Sequence, residues 1–256
     1  MKYTYNKDNI RLLHGDSFKI MSKMKDSSVD VIITDPPYFL SNDGFSNSGG
    51  KQVSVNKGDW DKAIDFTPEE FYSKFLDEAK RILTKDGTIC IFGSMHNIYI
   101  IGYLLGKKDF KVLNNITWQK SNPAPNLGRR MFTHSTETIL WAKREPKSRQ
   151  IFNYDLMREY NNGKQMKDVW TTSTIKMTEK RFGKHPTQKP IEIIERLVEA
   201  VSDENSLILD PFIGSGTTAV AGLKHNRNVL GIDMESEYLD IAVKRLEEQS
   251  ERSREQ

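Results

Sequence analysis

The stretch Val29-Asp30-Val31-Ile32-Ile33-Thr34-Asp35-Pro36-Pro37-Tyr38 decides how this chain is read. Its apolar, β-branched run has the pattern of a strand buried on both faces of a parallel sheet. Proline has no N–H and a fixed φ, so two in succession stop the strand and stiffen the loop beyond it. One carboxylate, free carbonyls and one aromatic ring are thus expected to be held rigidly at a strand's carboxyl end. In open α/β sheets that edge is where ligands bind.

Working outward, Ile10 to Leu13 reads as a strand, then come the turn His14-Gly15-Asp16-Ser17 and a helix over 18–24. Residues 39–65 are rich in Ser, Asn, Gly and Asp, and a loop this long in a compact domain is functional or mobile, so a mobile loop beside the active corner is expected. Thr67-Pro68-Glu69-Glu70 is a helix start, with N-cap, first-turn proline and capping-box glutamate. Phe71, Phe75, Leu76, Ala79, Ile82 and Leu83 continue its apolar face, and Asp86-Gly87 is expected to end it. Thr88 to Gly93, Lys111 to Gln119 and Glu137 to Lys143 read as strands, and 96–106 as a helix. Residues 145–185 are polar and aperiodic, which predicts an insertion on the core rather than part of it. Beyond His185-Pro186-Thr187-Gln188-Lys189-Pro190, Ile193, Ile194, Leu197, Val198 and Val201 mark an amphipathic helix. A strand over 206–210, a helix opened by Pro211 to Thr218, a strand over 228–233 and a helix over 235–249 complete the chain, the last seven residues reading as frayed. This alternation predicts one α/β domain over residues 1–256, built on a parallel sheet.

Composition fits that fold. With 256 residues, 37% hydrophobic and 29% charged, the chain can bury one large core. No apolar run reaches membrane-spanning length, the N-terminus lacks the apolar core of a signal peptide, and a single cysteine excludes a disulfide framework or a Cys-rich zinc site. A cytoplasmic protein without structural metal is the expectation. The histidines at 14, 96, 134 and 225 lack metal-ligand spacing. Net charge is +3, yet residues 107–149 hold ten Lys/Arg against Asp109, Glu137 and Glu145, a local +7. A basic middle suits a polyanion.

A second glycine-rich stretch, Leu209-Asp210-Pro211-Phe212-Ile213-Gly214-Ser215-Gly216-Thr217-Thr218, joins a strand to a helix. Glycines let backbone approach a ligand at a helix N-terminus. No lysine directly follows Gly216, so this is not a phosphate loop, and Asp210 in front of the glycines would repel a pyrophosphate. A carboxylate there suits a cationic amino-acid moiety, and Asp233, ending the next strand, is placed for ribose hydroxyls. A ligand with a ribose, an ammonium and no phosphate is S-adenosylmethionine; a dehydrogenase-type turn is the competing reading of this motif alone.

Taken together, Asp-Pro-Pro-Tyr at 35–38 and Asp-Pro-Phe-Ile-Gly-Ser-Gly-Thr-Thr at 210–218 resemble the amino-group DNA methyltransferases of restriction-modification systems. The order, catalytic motif first and donor motif last, resembles their circularly permuted beta class, over nearly the whole chain. Residues 46–50, 57–61, 117–120 and 132–138 carry a closer resemblance to the single-strand-tolerant adenine methyltransferases of Dpn-type GATC systems. The resemblance implies a Rossmann-like methyltransferase fold, with a mixed, mostly parallel sheet and helices on both faces. It implies a donor site made by Asp16 and Ser17 at the adenine, His185, Thr187, Gln188 and Lys189 at the methionine part, Asp35, Asp210, Phe212, Gly214, Ser215, Gly216, Thr217 and Thr218, and Asp233 at the ribose. DNA is the implied partner, a homodimer and a cognate restriction endonuclease the implied associations, and residues 120–185 the implied target-recognition segment.

At the opening corner these residue types suit transfer to an amine. An exocyclic adenine amine is a poor nucleophile, because its lone pair is delocalised into the ring. Asp35 and the Pro36 carbonyl can each accept one of its hydrogens, in bonds that strengthen as positive charge develops. The Pro36-Pro37 pair keeps them fixed, and Tyr38 is expected to stack on the base, offsetting the cost of flipping it from a duplex. Cys90 sits inside a core strand and reads as packing, which excludes the covalent carbon-5 reaction. Cytosine N4, or an RNA or protein amine, stays open as the alternative acceptor, as does a non-enzymatic nucleic-acid-binding module. Lys120, Asn122, Arg129 and Arg130 are expected at the DNA, mostly on phosphates, with Trp60 and Phe45 as candidate wedges.

Overall fold

The computed structural model describes residues 3–39, 45–48, 51–54, 67–183 and 185–254. The apolar run of the opening stretch forms β3 (Val29–Thr34), buried except at Asp30. It lies at the centre of a nine-stranded sheet among the described residues. The other strands are β1 (Tyr3–Lys7), β2 (Ile10–His14), β6 (Leu83–Gly93), β7 (Lys111–Lys120), β8 (Thr136–Lys143), β9 (Val169–Thr172), β10 (Leu207–Asp210) and β11 (Asn228–Asp233). Their order is β1-β2-β11-β10-β3-β6-β8-β7-β9. The run β2, β11, β10, β3, β6 is parallel, β8 is antiparallel to both its neighbours, and β9 is parallel to β7. A separate hairpin, β4 (Phe45–Ser48) with β5 (Lys51–Ser54), stands apart from this sheet.

Successive residues of a strand face opposite sides, so a central strand feeds two cores. Ile32 packs with α2 (Pro68–Ile82) and α3 (Ile98–Lys107) on one face, beside α1 (Ser17–Met21). Val31 and Ile33 pack on the other with α5 (Ile191–Val201), α6 (Thr217–Lys224) and α7 (Ser236–Arg254). The start of α2 is as expected: Thr67 N–H donates to Glu70 at 2.8 Å, and Glu70 N–H to Thr67 Oγ1 at 3.2 Å. All five apolar positions marked on α5 are buried.

Four sequence expectations are corrected. Residues 3–7, which carried no strand assignment, form β1 against β2. Asp86-Gly87 does not end α2; Leu83 pairs with Val29 at once, and the two residues lie where the β3–β6 register skips. The final helix does not fray after Gln249 but continues to Arg254, with buried Ser250 donating to Asp8 at 2.7 Å. Residues 145–185 are not merely added to the core. Met157 of α4 (Tyr154–Tyr160) and Trp170 of β9 are buried in it, and β9 extends the sheet along β7. Four residues are too few for their alternation to stand out from the polar sequence around them.

Candidate active site

The fold puts the two motifs side by side. Ile208 and Leu209 of β10 pair with Val31 and Ile32 of β3, so Asp210 and Asp35 leave adjacent parallel strands at one edge. From there the chain runs into helices on opposite faces, α6 after β10 and α2 after β3. That divergence opens a crevice at the strands' carboxyl ends. It is a cleft with a cavity volume of about 150 Å3, open to solvent at its mouth. Of the residues expected to hold the donor, all but Gly216 line it.

Asp35 is held from two sides. Tyr38 Oη donates to Oδ1 at 2.6 Å, and Lys189 Nζ donates to Oδ2. Lys189 also lies 3.5 Å from Glu137 at the start of β8, which in turn meets Lys120 at the end of β7 at 2.6 Å. Burial pushes the Asp35 carboxyl above the usual range, against the pull of Lys189. Burial disfavours the Lys189 charge too, but the two carboxylates outweigh it and hold the ammonium above the ordinary lysine range. Glu137 is likewise buried, yet its two lysines bring it below the usual range. Lys189 is thus placed at Asp35, not at the donor's methionine part alone, and Lys120 is committed to Glu137, not presented to DNA. The cause is register: β7 and β8 pair Gln119 with Thr136, which sets Lys120 next to Glu137.

The Pro36-Pro37 corner is braced from behind. Buried Tyr72 of α2 donates to the Pro37 carbonyl at 2.5 Å and accepts from Asn97 Nδ2 at 2.9 Å. Asn97 Oδ1 in turn accepts from Ser94 N–H at 2.8 Å, just past β6.

The glycine-rich loop is shaped by close approach. Gly214 has φ +51°, and a Cβ there would meet His185 Nε2 at 2.8 Å; Gly216, φ +79°, would strike Ala242 Cβ at 2.6 Å. Only glycine meets both demands. Buried Arg245 of α7 reaches over to the Ser215 carbonyl at 2.7 Å and Thr217 Oγ1 at 3.0 Å. His185 stacks edge-on to Tyr238 at 4.2 Å, and burial brings it down to about 3, so it is neutral. Ser17 donates to the Pro211 carbonyl, while Asp16 caps α1 through Lys19 N–H at 3.1 Å. Asp233 accepts Gly214 N–H at 2.8 Å and Glu235 N–H at 2.9 Å. Asp210 accepts from Thr218 at 2.7 Å, and burial lifts it to about 7. Four carboxylates (Asp16, Asp35, Asp210 and Asp233), bare glycine backbone and the rings of Phe18, Phe71 and Phe212 make the walls. Among the described lining residues the one lysine is tied to Asp35. This donor set fits a ribose and a cationic amino acid and disfavours a phosphate, so the residues present fit S-adenosylmethionine.

The DNA-side expectations are less gathered. Arg129 and Arg130 are exposed in the loop after β7, beside Phe132, which is 96% exposed. Asn122 Oδ1 accepts Thr174 N–H at 2.7 Å. Trp60, the Phe45 side chain and about two thirds of the 39–65 loop lie outside the described residues. Cys90 is wholly buried and burial pushes its thiol up, which fits plain packing. Sequence reasoning missed Tyr72, Asn97, Arg245 and the link from Glu137 to the site. A signal existed for Arg245: it lies three residues after Ala242 and one before Leu246, a charge on the buried stripe of α7.

Comparison with known proteins agrees with this geometry. The family described as DNA methylase (N6/N4 methyltransferases) matches residues 29–244. Type II methyltransferase M2.DpnII of Streptococcus pneumoniae is 58% identical over 249 residues, 96% of this chain and 93% of that protein. Type II methyltransferase M2.LlaDCHI of Lactococcus lactis subsp. cremoris is also 58% identical, over 94% of this chain and 91% of that protein. Among solved structures, the M1.HpyAVI–SAM complex superposes with a TM-score of 0.68 at 29% identity, covering 93% of this chain and 98% of that one.

Proposed function

The chain belongs to the N6/N4 DNA methylase family, and we propose that it methylates the exocyclic N6 of adenine within a short DNA sequence, GATC. It is an S-adenosylmethionine-dependent DNA methyltransferase of restriction-modification type. The observation that carries the proposal is the placement of Asp35, with the Pro36 carbonyl after it, one strand away from Asp210 on a single sheet edge. S-adenosylmethionine supplies an electrophilic methyl group when bound. Asp35 accepts one amine hydrogen and the Pro36 carbonyl the other, which lets the nitrogen pyramidalise. Both bonds strengthen as positive charge grows on nitrogen, so they favour the transition state. A carboxylate has about four lone-pair sites, so Asp35 can take the amine while keeping Tyr38 and Lys189. The Tyr38 ring, approached on one face by Lys189 at 5.4 Å, is the platform assigned to the target base. The base is flipped or already single-stranded, and the exposed loop after β7 with Arg129 and Arg130 provides phosphate contacts within the 120–185 recognition segment. GATC comes from the Dpn-type resemblance of the sequence, and a homodimer and a partner endonuclease from the family resemblance; a cytoplasmic setting rests on the composition, and no described helix is long and apolar enough to cross a membrane.

Label from tritiated S-adenosylmethionine, incubated with single- and double-stranded GATC oligonucleotides and digested to nucleosides, is expected in N6-methyladenine. Label in methylcytosine would overturn the acceptor, and equal label in an oligonucleotide without GATC would overturn the sequence. Asp35→Ala is expected to abolish transfer while leaving donor binding largely intact.

A further inference from the structure

Four charged side chains run in alternating sign from the cleft to the end of β7: Asp35, Lys189, Glu137, Lys120. The Lys189 side chain is 7% exposed and those of Asp35 and Glu137 are 18% and 17%. Burying charges costs solvation that their attraction barely returns, and well-packed apolar residues would serve stability as well or better. Such a chain is poorly explained by folding alone. Lys189 is also fixed more tightly than a structural pair requires. Its ammonium lies 5.4 Å from the rings of both Tyr38 and Phe92 and donates to the Thr187 carbonyl at 3.2 Å.

We propose that Lys189, itself held by Glu137, is a positioning residue for methyl transfer, fixing Asp35 as an aimed, ionised acceptor for the target amine. The inference rests on the assignment of Asp35 as that acceptor. The titratable groups facing Asp35 are Tyr38 on its own turn, Lys189 from the segment before α5, Glu137 from β8 and Asp210 from β10, with Lys120 behind Glu137. Lys189 is the cation in contact with Asp35, and the other carboxylates oppose its ionisation. A protonated Asp35 would present one oxygen as a donor and lose the charge that strengthens its bond to the amine. The two neighbours of Asp35 therefore act in opposite directions. Removing Lys189 favours the protonated acid, and removing Glu137 favours the carboxylate.

The test is the pH profile of single-turnover methyl transfer with donor and DNA saturating. Lys189→Met is expected to move the acidic limb up by about one to three pH units, the usual effect of losing an opposite charge at contact distance. Glu137→Gln is expected to move it down, and Lys189→Arg to return it most of the way. Donor affinity is measured for each variant alongside the profile, and donor is kept saturating for each, so that any loss of donor binding at Lys189 is separated from a shift of the limb. A merely structural role would slow every variant without moving the limb, or move it the same way in both; either result overturns the inference. Should Lys189→Met melt below assay temperature, the downward shift in Glu137→Gln and the near-parental limb of Lys189→Arg decide the matter. Asp35→Ala, run alongside, separates the two claims. Turnover by Asp35→Ala would overturn the assignment of Asp35, whereas an inactive Asp35→Ala with unmoved limbs elsewhere overturns the role of Lys189 alone.

Discussion

Removing the Tyr72 hydroxyl should loosen the catalytic corner from behind without touching the cleft. Tyr72 is 1% exposed and does not line the cleft. Its hydroxyl donates to the Pro37 carbonyl at 2.5 Å and accepts from Asn97 at 2.9 Å. Tyr72→Phe leaves one buried acceptor and one buried donor without that partner, at roughly 1–3 kcal/mol each. Asn97 keeps its bond from Ser94, so about 2–4 kcal/mol in total is the reasonable span. For a chain of this size that lowers the melting temperature by roughly 5–15 °C. The kinetic consequence is separate. Pro37 is covalently next to the Pro36 carbonyl, and misplacement by about 1 Å can cost on the order of 100-fold. Single-turnover transfer at 20 °C is expected to fall about 10- to 100-fold, while calorimetric donor affinity stays within about twofold. A lower melting temperature with parental transfer would refute the bracing argument and leave Tyr72 a purely structural residue. An unchanged melting temperature would refute the energetic one.

Single residues elsewhere give further expected outcomes. Gly216→Ala forces a side chain into φ +79° and against Ala242 at 2.6 Å, so donor affinity should drop at least tenfold by calorimetry, whereas Gly106→Ala in α3, with nothing within 4 Å, should raise stability by about 0.5–1 kcal/mol and leave affinity alone. Asp210, lifted to about 7 by burial, should protonate in the free protein as pH falls through 7, so donor affinity weakens towards pH 6 and Asp210→Asn removes that dependence. Its effect on stability has the opposite sign: the folded value lies above the unfolded value of about 4, so its contribution is whole below pH 4 and is lost as pH rises towards 7, which urea titrations of the donor-free protein would detect. Cys90→Ala should cost about 1–2 kcal/mol in the same titrations and keep full methyl transfer, since no thiolate takes part.

What could be read from the chain depended on the distance over which each signal acts. The apolar run ending at Asp35, the capping box at Thr67 and the glycines at 214 and 216 are local, and their elements stand where periodicity and turn chemistry put them. Residue types also announced the cleft, because carboxylates at the ends of alternating strands converge in any parallel sheet. The partners of those carboxylates were not legible. Glu137 counted only as a charge opposing the basic segment, and Lys120 as one more cation for DNA. Their pairing arises from the β7–β8 register and the return of the chain at residue 189, neither of which a charge count contains. Tyr72 was hidden differently: it lies on the apolar stripe of α2, where an aromatic ring is explained by packing before its hydroxyl is considered.

The meeting of two motifs 175 residues apart is itself a matter of register. Pairing Leu209 with Ile32 brings Asp210 and Asp35 to one edge. A slip of one residue would turn every side chain of β10 to the other face, and a slip of two would carry Asp210 about 6.6 Å along the strand, away from its place beside Asp35. The apolar residues alone do not forbid the second slip, because Leu207, Ile208 and Leu209 are nearly interchangeable in bulk. Asp30 does. It is the one residue of β3 not fully buried, and its carboxylate accepts the Leu207 N–H at 2.9 Å, at the opposite end of the strand pair from the chemistry. A polar residue that interrupts the apolar run thus fixes where the two halves of the cleft meet, although it touches neither.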